Sequence, residues 1–95
     1  MNPVKKMFPE AYDLLERRKR AFLQLRDPIF QLSETEFDDN TMEVVLTEMT
    51  DDGESLGEVF KMEGKESSLR KRFHAIMELQ DDMFLEWKSI YILEN

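Results

Sequence analysis

Residues 67–91 constrain this chain more than any other stretch. At 100° per residue, Leu69, Phe73, Ile76, Met77, Leu79, Met83, Phe84, Trp87, Ile90 and Tyr91 fall on one side of a helix. Arg70, Lys71, Glu78, Asp81, Asp82, Glu86 and Lys88 fall on the other. That spacing predicts an amphipathic helix with a wide apolar face, and the remaining chain must supply something for the face to cover. Ser67 or Ser68 is the expected N-cap. The like-charged row Glu78, Asp82, Glu86 opposes helix formation mildly. Leu85, Ile92 and Leu93 lie off the main face, so 89–93 reads as helix or as a short terminal strand.

Upstream, Asn2-Pro3 reads as a helix start, and Phe8-Pro9 interrupts it. A second helix follows from Pro9 to about Arg26, with Ala11, Leu14, Leu15, Ala21, Phe22 and Leu25 as its apolar face and Asp27-Pro28 as its stop. Asp13 with Arg17, and Glu16 with Arg20, are spaced for helical ion pairs. Arg18 falls within the apolar face, where an arginine must snorkel or meet a carboxylate.

From Ile29 the period shifts from 3.6 towards 2. Ile29–Phe37, Met42–Met49 and Ser55–Met62 read as three strands, with Asp38-Asp39-Asn40-Thr41 and Thr50-Asp51-Asp52-Gly53-Glu54 as the turns. Met42, Val44 and Leu46 share one face of the second strand. Leu56, Phe60 and Met62 are expected to face inward from the third, with Gly57 a candidate bulge. Glu63-Gly64-Lys65 reads as the break before the long helix. The expectation is one domain over residues 1–95, α+β in class: a helix, a three-stranded antiparallel meander, and a long C-terminal amphipathic helix packed on one face of the sheet.

Composition enters as a filter on function. The 95 residues contain no cysteine, which excludes disulfides and thiolate chemistry and fits a reducing compartment. The early lysines are not followed by an apolar run, and no stretch is long and apolar enough to span a bilayer. A cytoplasmic protein without membrane contact is expected. The single histidine, His74, reads as an exposed helical residue near Glu78, and no phosphate-binding glycine pattern occurs. Asp51-Asp52-Gly53-Glu54 lacks the spacing of a calcium loop. No enzyme, cofactor or metal is expected.

Net charge is −8, unevenly spread: residues 27–66 carry 13 acidic and two basic side chains, whereas residues 1–26 are net basic. The first functional expectation is a non-enzymatic regulatory or inhibitor protein that binds a basic protein surface through its acidic centre. Its nominated residues are Glu34, Glu36, Asp38, Asp39, Glu43, Glu48, Asp51, Asp52, Glu54 and Glu58, and its narrower form is a nucleic-acid mimic of phage or mobile-element type. The alternative is a nucleic-acid-binding module using Arg17, Arg18, Lys19 and Arg20 with Lys5, Lys6 and the cluster Arg70, Lys71, Arg72. The order helix, three strands, helix resembles that of the double-stranded-RNA-binding domain, and Lys65, Arg70, Lys71 and Arg72 gather where such a domain grips phosphates. That family's lysine-rich helix opening is absent, so the resemblance is one of topology and carries no function. With thirteen carboxylates nearby, nucleic acid is the less favoured partner. A homodimer through the C-terminal helix is expected from its surplus apolar area.

Overall fold

The computed structural model describes residues 8–94; the expected helix start at Asn2-Pro3, together with Lys5 and Lys6, lies outside them. The elements are helix α1 (Pro9–Leu23), strands β1 (Ile29–Glu36), β2 (Thr41–Met49) and β3 (Ser55–Lys65), and helix α2 (Glu66–Glu94). The strands form one antiparallel sheet in the order β1-β2-β3. The class expected from the sequence, α+β with a meander between two helices, is the observed one.

Pro9 opens α1, its fixed φ suiting the first turn, and Glu10 places a carboxylate there. The helix stops at Leu23 rather than running to Arg26. Leu25 adopts a left-handed φ of 56°, Arg26 N–H donates to Ala21 O at 3.0 Å, and Leu25 N–H donates to Phe22 O at 3.1 Å. That is a Schellman closure with leucine where glycine is usual. Leu25 therefore leaves the apolar face and stands 96% exposed. A left-handed L-residue costs on the order of 1–2 kcal/mol, and an exposed side chain recovers little of it. Leu25→Gly is expected to raise unfolding free energy by about 0.5–1 kcal/mol, a net figure after the extra chain entropy of glycine. Urea denaturation reads it; destabilisation would contradict the strain.

β2 alternates as its sequence does, with Met42, Val44, Leu46 and Glu48 buried on the helix-covered face. The turn before it uses Asn40 at φ 65°, a conformation asparagine tolerates. The turn after it uses Gly53 at φ 85°, closed by Thr50 N–H to Glu54 O at 2.8 Å. Pairing of β2 with β3 slips twice, between Leu46 and Thr47 and between Glu48 and Met49. The slips leave Leu56 and Val59 as extra residues, so Val59 is buried and Leu56 is exposed, the reverse of the simple alternation. Gly57 sits between them at φ 127°, and a Cβ there would lie 3.3 Å from Arg17 Nη2. Gly57→Ala is expected to cost about 1–3 kcal/mol through backbone strain, read as a lowered denaturation midpoint.

β3 continues through Glu63-Gly64-Lys65, because Lys65 and Gly64 still pair with Thr41 and Met42. α2 follows at once from Glu66, so Ser67 and Ser68 lie inside the first turn rather than capping it. The helix then runs unbroken to Glu94, absorbing the Glu78, Asp82, Glu86 row.

Both helices cover the same face of the sheet, packed parallel. Glu10 meets Arg72, Arg18 meets Asp81, and Phe22 meets Phe84, Trp87 and Tyr91, so the two sequences advance together. Leu14, Met42, Val44, Phe60, Leu69 and Ile76 form the centre of the core. No residue of α2 beyond Gln80 is buried. Its last turns pack against Phe22 of α1, and Ile90, expected on the packed face, is exposed. Among the described residues no helix is long and apolar enough to cross a membrane.

Candidate functional site

Two places on this scaffold carry more than folding requires. The first is an ion cluster at the end of α1. Glu48 is 1% exposed, brought inward because it shares the face of Met42, Val44 and Leu46. Arg17 Nη1 lies 3.1 Å from Glu48 Oε1, and Arg26 Nη1 lies 3.1 Å from Oε2. Arg17 also donates to Leu56 O at 3.4 Å and Glu58 O at 3.2 Å, the carbonyls on either side of Gly57. Arg26 Nε donates to Gln24 Oε1 at 2.8 Å. The Schellman closure aims Arg26 at this carboxylate, and absence of a side chain at Gly57 lets Arg17 approach the strand.

The second is the outer edge of β1. Phe37 N–H donates to Thr41 O at 2.9 Å. Alternation along the strand therefore directs the odd-numbered residues to β2 and turns the N–H and C=O of Phe30, Leu32, Glu34 and Glu36 outward. This edge has no proline, no lysine and no bulge over its eight residues, so what guards it against pairing is charge, that of Glu34 and Glu36 on its inner side. The opposite edge, on β3, is interrupted by two bulges and occupied by Arg17. Beside β1 runs a groove of about 270 Å³ between the strand and α2, with Leu32, Val44, Leu69, Phe73 and Met77 in its walls and Arg70 and His74 at its rim.

The nominated carboxylates do not share one surface. Glu48 is removed from the set: it is buried and neutralised by two arginines. Glu34 and Glu36 lie on the helix-covered side of β1 but at its uncovered margin, and both are exposed. Asp38 and Asp39 continue from them into the first turn. Asp51, Asp52 and Glu54 sit at the opposite end of β2, separated by about 27 Å of extended chain. Glu43 and Glu58 belong to the uncovered back face, where Glu43 pairs with Lys61 at 3.5 Å. Asp39 accepts from the hydroxyl and N–H of Thr41. Those bonds, the side-chain one first, hold its carboxyl below the ordinary range. Its stabilising contribution is therefore full above about pH 4 and is lost only as pH falls through the lowered value.

The basic set is also dispersed. Arg17 makes no pair with Asp13, because the buried Glu48 is the stronger partner. Arg20 is exposed and makes no pair with Glu16, which binds Lys19 at 3.3 Å instead. Arg18 meets its carboxylate as expected: Nη1 donates to Gln80 Oε1 and Asp81 Oδ1, each at 2.5 Å, and the guanidinium lies 4.1 Å from the centre of the Phe84 ring. Arg72 binds Glu10, and Arg70 binds Glu66 and Glu34. Lys71 is exposed on the first turns of α2. Lys19 and Arg20 thus lie with the end of α1, remote from the Arg70–Arg72 cluster at the start of α2.

Sequence reasoning missed Arg26, Gln80 and Leu32. Gln80 is buried and fully bonded, donating to Met77 O and Asp81 Oδ1 at 2.9 Å each. Its spacing of four from Ile76 and Phe84 was the available signal. Arg26 had none, since its role depends on the turn at Leu25. His74 is exposed, 3.0 Å from Glu78. Among the described residues no group of carboxylates or histidine is arranged to hold a metal. Comparison with protein-family models, curated proteins and solved structures finds no match, so geometry alone carries the functional reading.

Proposed function

We propose that this chain is a non-enzymatic, cytoplasmic protein-binding module that receives an extended, basic segment of a partner protein along the edge of β1. The observation that carries the reading is the regular, bulge-free eight-residue edge, guarded by acidic side chains alone, with a groove beside it. Strand addition supplies main-chain hydrogen bonds, and alternate side chains of the incoming segment enter the groove. Glu34, Glu36, Asp38 and Asp39 line this edge and its turn, so the complementary segment carries lysine or arginine at alternate positions. A second copy pairing edge to edge would bring Glu34 and Glu36 near their own equivalents, which disfavours self-pairing here. The proposal uses only these four of the nominated carboxylates, because the others lie on other faces or at the far end of the sheet.

The test is titration of labelled protein with an octapeptide alternating lysine and valine, followed by amide exchange. Slowed exchange at Phe30, Leu32, Glu34 and Glu36 is expected. Glu34→Pro removes an outward N–H without touching the β2 ladder, and is expected to abolish binding while leaving the unfolding midpoint within a few degrees. Equal binding of an alternating glutamate–valine peptide, or unchanged binding by Glu34→Pro, would refute the proposal.

A second contact is supported by the end of α2, where Leu85, Ile92 and Leu93 stand exposed. Pairing of two copies through this helix accounts for them. A monomer mass in light scattering at high micromolar concentration would remove that reading.

A further inference from the structure

Given strand addition along β1, the adjoining groove specifies more of the incoming segment than its charge. Register pairs Leu32 with Leu46, Glu34 with Val44 and Glu36 with Met42. Directly opposed residues share a face, so Leu32, Glu34 and Glu36 stand on the helix-covered side with the buried Met42, Val44 and Leu46. Leu69, Phe73 and Met77 recur at intervals of four on α2 and form the far wall of the groove, which measures about 270 Å³. Phe60 backs Phe73 at a centroid distance of 6.3 Å and holds that wall in place. Phe73 and Met77 are half-buried and Leu32 is 41% exposed, so this chain leaves the apolar space unfilled. Pockets for small ligands usually measure about 300–1,000 Å³. This one is smaller and suits a single large side chain.

Resting on the strand-addition reading, we infer that the partner segment carries one long apolar side chain, phenylalanine or methionine, that enters this groove opposite Leu32. A lysine or arginine stands two residues away, opposite Glu34. The spacing comes from strand geometry, since residues i and i+2 share a face. The length is set by the distance to be crossed. An added backbone lies about 4.8 Å outside β1, and its side chain must pass over Leu32 to touch Phe73 and Met77. Valine is too short for that, whereas phenylalanine and methionine reach. The other face of β1, with Gln31, Ser33 and Thr35, has no helix over it, so an apolar side chain there gains little burial.

Charge sets the neighbouring position. In the free protein Arg70 Nη1 lies 3.9 Å from Glu34, while Arg70 Nε lies 3.1 Å from Glu66. An incoming lysine therefore takes Glu34 from its weaker internal contact, and Arg70 keeps Glu66. Arg70 is an internal competitor of the partner segment.

The test compares two heptapeptides of one composition by NMR titration. Thr-Lys-Thr-Phe-Thr-Lys-Thr reads the same in both directions, so strand polarity does not affect it, and it puts phenylalanine and lysine on one face. Thr-Lys-Phe-Thr-Thr-Lys-Thr moves the ring by one position and so to the opposite face. The first peptide is expected to bind at least tenfold tighter and to displace the Met77 methyl resonance by the ring current of its phenylalanine. Met77→Gln is expected to bring it down to the affinity of the second, and Arg70→Gln to tighten it several-fold. Should Met77→Gln fail to fold, the two peptides on the unaltered protein still decide the matter. Slowed amide exchange along β1 with equal affinity for both peptides would leave the edge as the binding site and overturn the anchor. Unchanged exchange with either peptide would overturn both. Weaker or equal binding by Arg70→Gln would refute the placing of lysine at Glu34.

Discussion

Replacing Glu48 by alanine is expected to lower the unfolding free energy by about 3 kcal/mol, among the larger effects of any single substitution in this chain. Removing one partner of a buried ion pair typically costs about 3–5 kcal/mol, because the charge left behind has lost its water. Here Arg17 and Arg26 retain 23% and 35% of their side-chain exposure, so both regain part of their hydration and the cost falls at the low end. The expected asymmetry is informative. Arg26→Ala should cost less, since Glu48 keeps Arg17, and the double variant should be milder than the two single losses added together. Guanidinium denaturation of the four proteins measures this. A loss below about 1 kcal/mol for Glu48→Ala would mean that the cluster does not anchor α1 to the sheet.

Phe22→Ala is the second large effect, and it should be local. Phe22 stands edge-on to Phe84, Trp87 and Tyr91 at centroid distances of 6.1, 5.3 and 5.8 Å. Phe→Ala in a full core costs about 3–5 kcal/mol. Phe22 is half-buried, which brings the expectation to about 2–4 kcal/mol. Besides Phe22, only weaker cation–ring contacts are seen from α1, Arg18 over Phe84 and Lys19 over Trp87, and no described residue of α2 beyond Gln80 is buried. Loss of Phe22 should therefore free residues 83–94 before the rest of the molecule unfolds. Amide exchange should quicken in that segment while Met42–Leu46 stays protected, and Trp87 emission should move to the red. Unchanged Trp87 emission would show that the end of the helix is held by something else. If two copies pair through Leu85, Ile92 and Leu93, the same variant should also weaken that pairing.

Arg17 shows how far local reasoning reaches. Its spacing from Asp13 suits a helical ion pair, worth a few tenths of a kcal/mol in isolation. The actual partner is 31 residues away, and the pair exists only because Glu48 comes inward on β2. Leu56 is a parallel case. Period-two alternation places it inside, but two register slips reverse its face, and nothing in Ser55-Leu56-Gly57-Glu58 alone sets their number. Gly57 marked the region without specifying the outcome. The candidate sites divide in the same way. Glu34, Glu36 and the turn aspartates were legible as charge. The regular edge beside them was not.

By itself the sequence determined the class of fold, the order helix, three strands, helix, and the two turns, because each depends on periodicity and on backbone preferences within a few residues; it left 89–93 open between helix and strand. It also marked Arg18 as a residue that must snorkel or meet a carboxylate, since an unmet arginine on an apolar face is costly; the structure supplies Asp81. Only the tertiary structure decided which charges meet which. Pairing distances between remote residues depend on bulges, on a left-handed leucine and on parallel helix packing, and no local window of sequence contains these.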